Sequence, residues 1–307
     1  MKKFITVAIL MAAVLLNAKA EEKSLKYAMG DIRSISQTSS ESIYFEIHVT
    51  KGRSKTVEVR YDSEIENQIK DFEQYLKIEY ISSEGILSIG MKKLPGQFSR
   101  LKLPLKARLV SIHLEMNDIE GIDIHGASSV DFNGEFTADN LDIDLSGAAK
   151  FGNVLNITGK TLSIDCSGAT KVSVCGDFDE VSMDVRDAAK SNYSGNTKML
   201  DADIRGAARA YIQTENREGD IDCSGGVLLE LRGKGKTLNL EGSGACRIDA
   251  RDYQAEEAVV RLSGACSATV SVDEKLRHDI SKISRLTYYG TPDMTGMTDN
   301  KNVTKGM

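Results

Sequence analysis

Between residues 121 and 269 apolar and polar residues alternate, and the alternation keeps restarting on a related phrase: IDIHGASSV, IDLSGAAKF, IDCSGATKV, MDVRDAAKS, ADIRGAARA, IDCSGGVLL, LEGSGACRI and VRLSGACSA. Taking the Gly (once Asp) of each phrase as an anchor gives Gly126, Gly147, Gly168, Asp187, Gly206, Gly225, Gly244 and Gly264, spaced by 21, 21, 19, 19, 19, 19 and 20 residues. Two positions before the anchor stand Ile124, Leu145, Cys166, Val185, Ile204, Cys223, Gly242 and Leu262; four before stand Ile122, Ile143, Ile164, Met183, Ala202, Ile221, Leu240 and Val260. The second position after it is small (Ser128, Ala149, Thr170, Ala189, Ala208, Val227, Cys246, Cys266), and the fourth holds Val130, Phe151, Val172, Ser191, Ala210, Leu229, Ile248 and Ala268. Apolar residues at every second position are what the buried face of a strand requires. Each period therefore predicts one strand, a bend at the anchor and a second strand. Gly suits the bend, and Asp187 is a residue type that tolerates such dihedrals. A period of about 20 with strands inside it marks a stacked solenoid, its strands parallel, in register and about 4.8 Å apart. The fold class predicted is all-β, a parallel β-helix.

Outside the repeats the pattern predicts caps, since stacked coils leave open edges at both ends. Residues 21–115 read as an N-terminal β-rich cap with one short helix, 116–275 as the repeat region and 276–307 as a C-terminal cap or tail, with 21–307 one continuous domain. Within the first part, Ser42–Thr50 and Thr56–Tyr61 read as a hairpin across Lys51–Ser54. Ser63 is placed to cap a helix reaching Tyr75, with Ile65, Ile69, Phe72 and Leu76 on its inner face. Strands are expected at Leu76–Tyr80, Ile86–Ile89 and Arg108–Met116, and between Pro95 and Pro104 around Leu101 and Leu103. The closing cap is expected around Tyr288-Tyr289-Gly290-Thr291-Pro292.

Composition narrows the class of function. The first twenty residues read as a secretory signal: Lys2 and Lys3, an apolar run from Phe4 to Leu16, and Ala18-Lys19-Ala20 as cleavage site. No later stretch reads as a membrane span. The expected location is therefore periplasm, outer-membrane surface or extracellular space. A net charge of -6 argues against nucleic acid as a partner, and the absence of Trp argues against a broad stacking platform. The five cysteines (Cys166, Cys175, Cys223, Cys246, Cys266) show no C-x-x-C spacing, and four lie in inward columns as small core residues. Cys246 and Cys266 share a column of adjacent coils, near enough to bridge, with free thiols the expected state.

The outward column with the most chemistry lies three before the anchor: Asp123, Asp144, Asp165, Asp184, Asp203, Asp222 and Glu241, ending at Arg261. Adjacent like charges at strand spacing repel by about 1 kcal/mol in water. One candidate to offset them is the basic column three after the anchor (Lys150, Lys171, Lys190, Arg209, Arg247). Another is bound calcium, since Asp142 with Asp144, Asp201 with Asp203, and Asp220 with Asp222 share a face, although no calcium-loop motif is present. The acidic ladder is the candidate binding face. No catalytic residue, metal ligand or cofactor is assigned. Carboxylates of adjacent coils such as Asp123, Asp144 and Asp165 are the material of a polysaccharide hydrolase or lyase, the alternative function, but none stands apart from its column. His125, Ser146 and Asp144 compose a Ser/His/Asp set on paper, with Ser167, Ser224, Ser243 and Ser263 repeating the Ser as part of the phrase. His48, His113 and His278 show no metal spacing.

The IDLSGA and IDCSGA phrases with the closing Tyr289-Gly290-Thr291-Pro292 resemble the bacterial auto-transporter adhesin head domain family over about residues 30–295. The resemblance implies a right-handed β-helix in the cell envelope with an adhesive or structural role, a glycan or surface protein as partner, and brings no catalytic residues. Asp187-Ala188 and Gly225-Gly226 depart from its Gly-Ala.

Overall fold

The structure is a computed structural model that describes residues 22–38, 43–93, 108–294 and 300–307. The signal segment 1–20 and the strand expected around Leu101 and Leu103 lie outside the described residues. The chain is a β-solenoid of about 9 turns with coils near 19 residues. It divides into two compact units, residues 1–138 with 144–156, and residues 139–143 with 157–307.

The first unit contains β1 (Glu22–Ala28), β2 (Ser34–Gln37), β3 (Tyr44–Lys51), β4 (Thr56–Asp62), helix α1 (Glu64–Gln68), a 3-10 turn (Phe72–Tyr75), β5 (Leu76–Ile81), β6 (Ile86–Met91), β7 (Leu109–Met116), β8 (Gly121–Gly126) and β9 (Ser129–Asn133). β2 lies parallel between β6 and β8, and β3 lies parallel between β7 and β9. The registers extend the repeat columns backwards: Ile35 aligns with Ile122, Ser36 with Asp123, Gln37 with Ile124 and Ile47 with Val130. β2 and β3 thus form a rung without the phrase, each held between two strands that come later in the chain. The hairpin expected from Ser42–Thr50 and Thr56–Tyr61 does not form, because β7 lies between β3 and β4, parallel to one and antiparallel to the other. β1 closes the outer side of β4 antiparallel, and β5 pairs antiparallel with β6, so the capping strands break with the parallel rule of the coils.

Residues 64–75 form two pieces rather than one helix. Asp71 takes a left-handed φ of 55° between them, and Ser63 makes no side-chain cap. The Glu64 amide donates to Asp62 Oδ1 at 2.8 Å instead. The inner face is as expected, with Ile65, Ile69, Phe72 and Leu76 all buried.

In the second unit, parallel registers run unbroken from Leu162 on Val181 to Leu262 on Ile280 along the strands before the bend, and from Val172 on Ser191 to Ala268 on Leu286 after it. The inward columns on both sides of the bend are buried in both units. All eight anchors have φ between 62° and 97°, Asp187 included. The close approach of successive bends explains the choice of Gly: a Cβ on Gly206 would stand 3.0 Å from the backbone of Asp187. Asp187 sustains its 62° with a side-chain bond, its Oδ2 accepting the Gly168 amide at 3.0 Å. The one-residue difference between 19- and 20-residue coils is absorbed at a register shift between Glu230 and Gly233. The last strands, Arg285–Tyr289 and Val303–Lys305, continue the parallel stack. Among the described residues no helix is long and apolar enough to cross a membrane.

Candidate functional site

The column three before the anchor faces outward because its neighbours on either side, at four and two before, face in. In the second unit the register stacks Asp165 on Asp184, Asp184 on Asp203, Asp203 on Asp222 and Asp222 on Glu241, and continues through Arg261 to Asp279. Five carboxylates therefore stand on consecutive rungs, as the phrase predicts.

Their charge is largely balanced on the spot. Arg186 Nη2 donates to both oxygens of Asp165, at 2.5 and 2.7 Å, while its Nε lies 3.4 Å from Asp184 Oδ1. Arg205 pairs with Asp203, and Arg261 Nη1 meets Glu241 Oε1 at 2.7 Å. Arg186 and Arg205 occupy the position just before the anchor, where most coils carry Ser. The column of Lys150, Lys171, Lys190, Arg209 and Arg247 makes no ion pair with the ladder among the described residues. The signal for the true counter-ions was the Ser-to-Arg change in VRDAAK and IRGAAR, which reads as loose repetition until the rungs are aligned.

Asp222 is the exception. Partial burial pushes its carboxyl up, the charges of Glu241, Asp220 and Asp201 add to this, and Arg205 opposes it. It lies in a groove of about 510 Å³ lined with Asp203, Arg205, Glu241 and Arg261 and with Ser224, Ser243 and Ser263. Carboxylate acceptors, guanidinium donors and hydroxyls alternate there within one shallow surface.

In the first unit, Asp123 Oδ2 accepts the Ser36 hydroxyl at 2.9 Å, and Asp123 Oδ1 lies 2.7 Å from His125 Nε2. His125 Nδ1 is bonded to Ser146 Oγ. Asp123, His125 and Asp144 bring their ligand atoms within 4.8 Å of one another. His125 and Ser146 of the expected set are thus in contact, but the carboxylate bonded to the imidazole is Asp123 rather than Asp144. Among the described residues the rest of an acyl-transfer site is missing. The backbone donor beside it, the Ala148 amide, is spent on Gly126 O at 2.8 Å, and the corresponding amides of Ala188, Gly226, Ala245 and Ala265 bond to the preceding coil in the same way. The aspartate and histidine are also half-exposed, so nothing excludes water. His48 and His113, 65 positions apart in sequence, stack on adjacent rungs with centroids 4.6 Å apart. Local spacing could not reveal that contact.

None of the five cysteines forms a disulfide; Cys175 is exposed and the others are buried. Burial pushes the Cys246 thiol up to about 11, and the charge of Cys266 adds to this.

The family described as "putative auto-transporter adhesin, head GIN domain" matches residues 40–218 and 188–292. The chain belongs to this family. Among solved structures, this adhesin-family chain is similar to a putative adhesin from Parabacteroides distasonis, at 14% identity over 93% of this chain and 97% of that one, with a TM-score of 0.53. A putative adhesin from Parabacteroides merdae aligns at 14% identity over 93% and 96% of the two chains, with a TM-score of 0.43. A protein titled a putative lipid binding protein, from Parabacteroides distasonis, aligns at 15% identity over 93% and 97%, with a TM-score of 0.41. The first of these likenesses shows the fold alone. No curated protein is matched by the sequence.

Proposed function

We propose that this adhesin-family chain is an exported, non-catalytic binding protein of the cell envelope, with a hydroxyl-rich glycan as ligand of the acidic face. The observation that carries the reading is the internal charge balance of the ladder. Asp165, Asp184, Asp203 and Glu241 each have an arginine, so their carboxylates are held as fixed acceptors rather than poised as acid and base. Around Asp222 the serines and arginines add fixed donors, a set that suits sugar hydroxyls. Export rests on the signal pattern of residues 1–20.

A glycan array probed with the purified chain tests binding, and Asp222→Asn is expected to abolish retention on the array without loss of fold. Reducing-sugar release or unsaturated uronate formation from polysaccharides, lost in Asp222→Asn or Asp144→Asn, would instead make the chain an enzyme. Calcium added to the chelated protein is expected to give no heat. Heat together with a raised melting temperature would show that the chain binds calcium, and their loss in Asp123→Asn would place the ion beside His125 and Asp144.

A further inference from the structure

A second column of charge in the second unit, opposite in sign to the ladder, lies after the bend. Three positions after the anchor, Lys171 stacks on Lys190 and Lys190 on Arg209; Leu228 follows, then Arg247. All five side chains are exposed. Three cations on consecutive rungs about 4.8 Å apart repel one another. None of Lys171, Lys190, Arg209 and Arg247 forms an ion pair among the described residues. The same fold neutralises its acidic rungs with arginines from a neighbouring column, so leaving the basic rungs open is not forced by coil geometry.

The surroundings narrow the ligand. These residues line a groove of about 530 Å³ with Asn192, Tyr211 and the exposed Leu228. Of the two acids of the groove, Glu230 holds Arg232 at 2.5 Å, while Asp249, whose Oδ1 accepts the Arg251 amide at 3.2 Å, keeps its charge at the Arg247 end, away from Lys171, Lys190 and Arg209. Cations stand on three consecutive rungs and, after Leu228, on a fifth, with an amide, a phenol ring and an apolar side chain beside them. A polymer carrying one anionic group per sugar, with ring faces and hydroxyls between the charges, matches that sequence of contacts. A duplex strand, with a phosphate about every 3.4 Å along its axis, runs out of step with rungs about 4.8 Å apart. The net charge of -6 also opposes nucleic acid at long range.

We propose that the groove along Lys171, Lys190 and Arg209 binds a linear anionic polysaccharide that crosses the strands. The proposal rests on the reading of the chain as a binding protein and gives it a second face with a charged ligand.

The test measures binding of the purified chain to polygalacturonate and heparin, with dextran and single-stranded DNA as comparisons. Lys171→Gln/Lys190→Gln/Arg209→Gln is set against Lys160→Gln/Lys198→Gln/Lys234→Gln, an equal charge change at lysines paired with Asp139, Asp179 and Glu215. We expect at least one of the two polyanionic glycans to bind, with affinity falling as salt rises. The groove triple should weaken binding by about tenfold or more through lost charge contacts, and the control triple by far less. Lys190→Gln alone, at the centre of the ladder, should weaken it by roughly threefold and secures the test if the triple misfolds. Lack of binding to both glycans, equal losses in the two triples, or DNA bound as tightly as the glycans would each overturn the proposal. Retention of neutral glycans on the array, sensitive to Asp222→Asn, would show that the acidic-face reading survives that failure.

Discussion

Arg186→Gln tests the claim that the acidic ladder is tolerable because it is neutralised in place. The substitution removes a two-oxygen contact with Asp165 and a 3.4 Å charge contact with Asp184, leaving two carboxylates on adjacent rungs with no counter-ion between them. The side chains of Arg186, Asp165 and Asp184 are 40%, 42% and 36% exposed, so solvent screening limits each pair to the range of surface ion pairs, about 0.2–1 kcal/mol. The repulsion between the two carboxylates across about 4.8 Å, roughly 0.9 kcal/mol at the dielectric of water, is present with or without the arginine and adds nothing to the difference. The expected loss is therefore about 1 kcal/mol, the sum of the two lost contacts. A stack of coils need not unfold in one step, so urea denaturation is read together with amide hydrogen exchange at Ile164–Cys166 and Met183–Val185. Exchange should accelerate there and not at distant rungs. In 1 M salt, where the screening length is about 3 Å, the deficit should fall by half or more. Adding Asp165→Asn to Arg186→Gln should recover about 1 kcal/mol. If Arg186→Gln denatures with the parent at low salt, the ladder is stabilised by something other than its arginines.

Gly233→Ala should cost more than about 2 kcal/mol in denaturant titration, because at φ 114° the added Cβ would lie 1.9 Å from Thr214 O. Gly226→Ala should stay within about 0.5 kcal/mol, since the nearest atom is 3.8 Å away. His113 titrates below its ordinary 6.5 because burial, the charge of His48 and the charge of Arg60 disfavour the imidazolium, against a smaller pull from Glu58 and Glu22. The unfolded chain therefore binds that proton first, so stability is full above about pH 6.5 and falls as the pH drops towards the folded value. Melting at pH 7.5 and 5.5 should show a smaller acid penalty in His113→Gln than in the parent. Thiol titration should find one fast-reacting cysteine, Cys175, in the folded chain and five in unreduced denaturant; four or fewer in denaturant would reveal a bridge.

The coil was legible because every column repeats with a nearly constant step, so that Ile, Gly and small residues recur where burial and the bend demand them. Asp187 was legible for the same reason, as a substitute able to hold a positive φ. The N-terminal part was not. Nothing between residues 42 and 61 encodes that β7, some fifty residues downstream, will stand between β3 and β4. Local alternation reports which face is buried and is silent about which strand lies alongside. At the ladder, the acids were legible as a column, but their counter-ions were hidden in a column of mostly serines. Arg186 and Arg205 show their purpose only when side-chain reach across a rung is known. The open basic column likewise shows as unpaired only after the pairs elsewhere are counted.

The rung formed by β2 and β3 has a consequence for the order in which the chain assembles. Both its edges are filled by strands made afterwards, β6 and β7 on one side and β8 and β9 on the other. At a synthesis rate of roughly 5–20 residues per second, the segment waits several seconds for residue 133 before its second edge is covered. Elsewhere in the repeats a finished coil is at once a template for the next. Here the template must be kept unpaired and away from other chains until its future neighbours arrive. The open edges of β2 and β3 make that interval the moment of greatest aggregation risk for this chain.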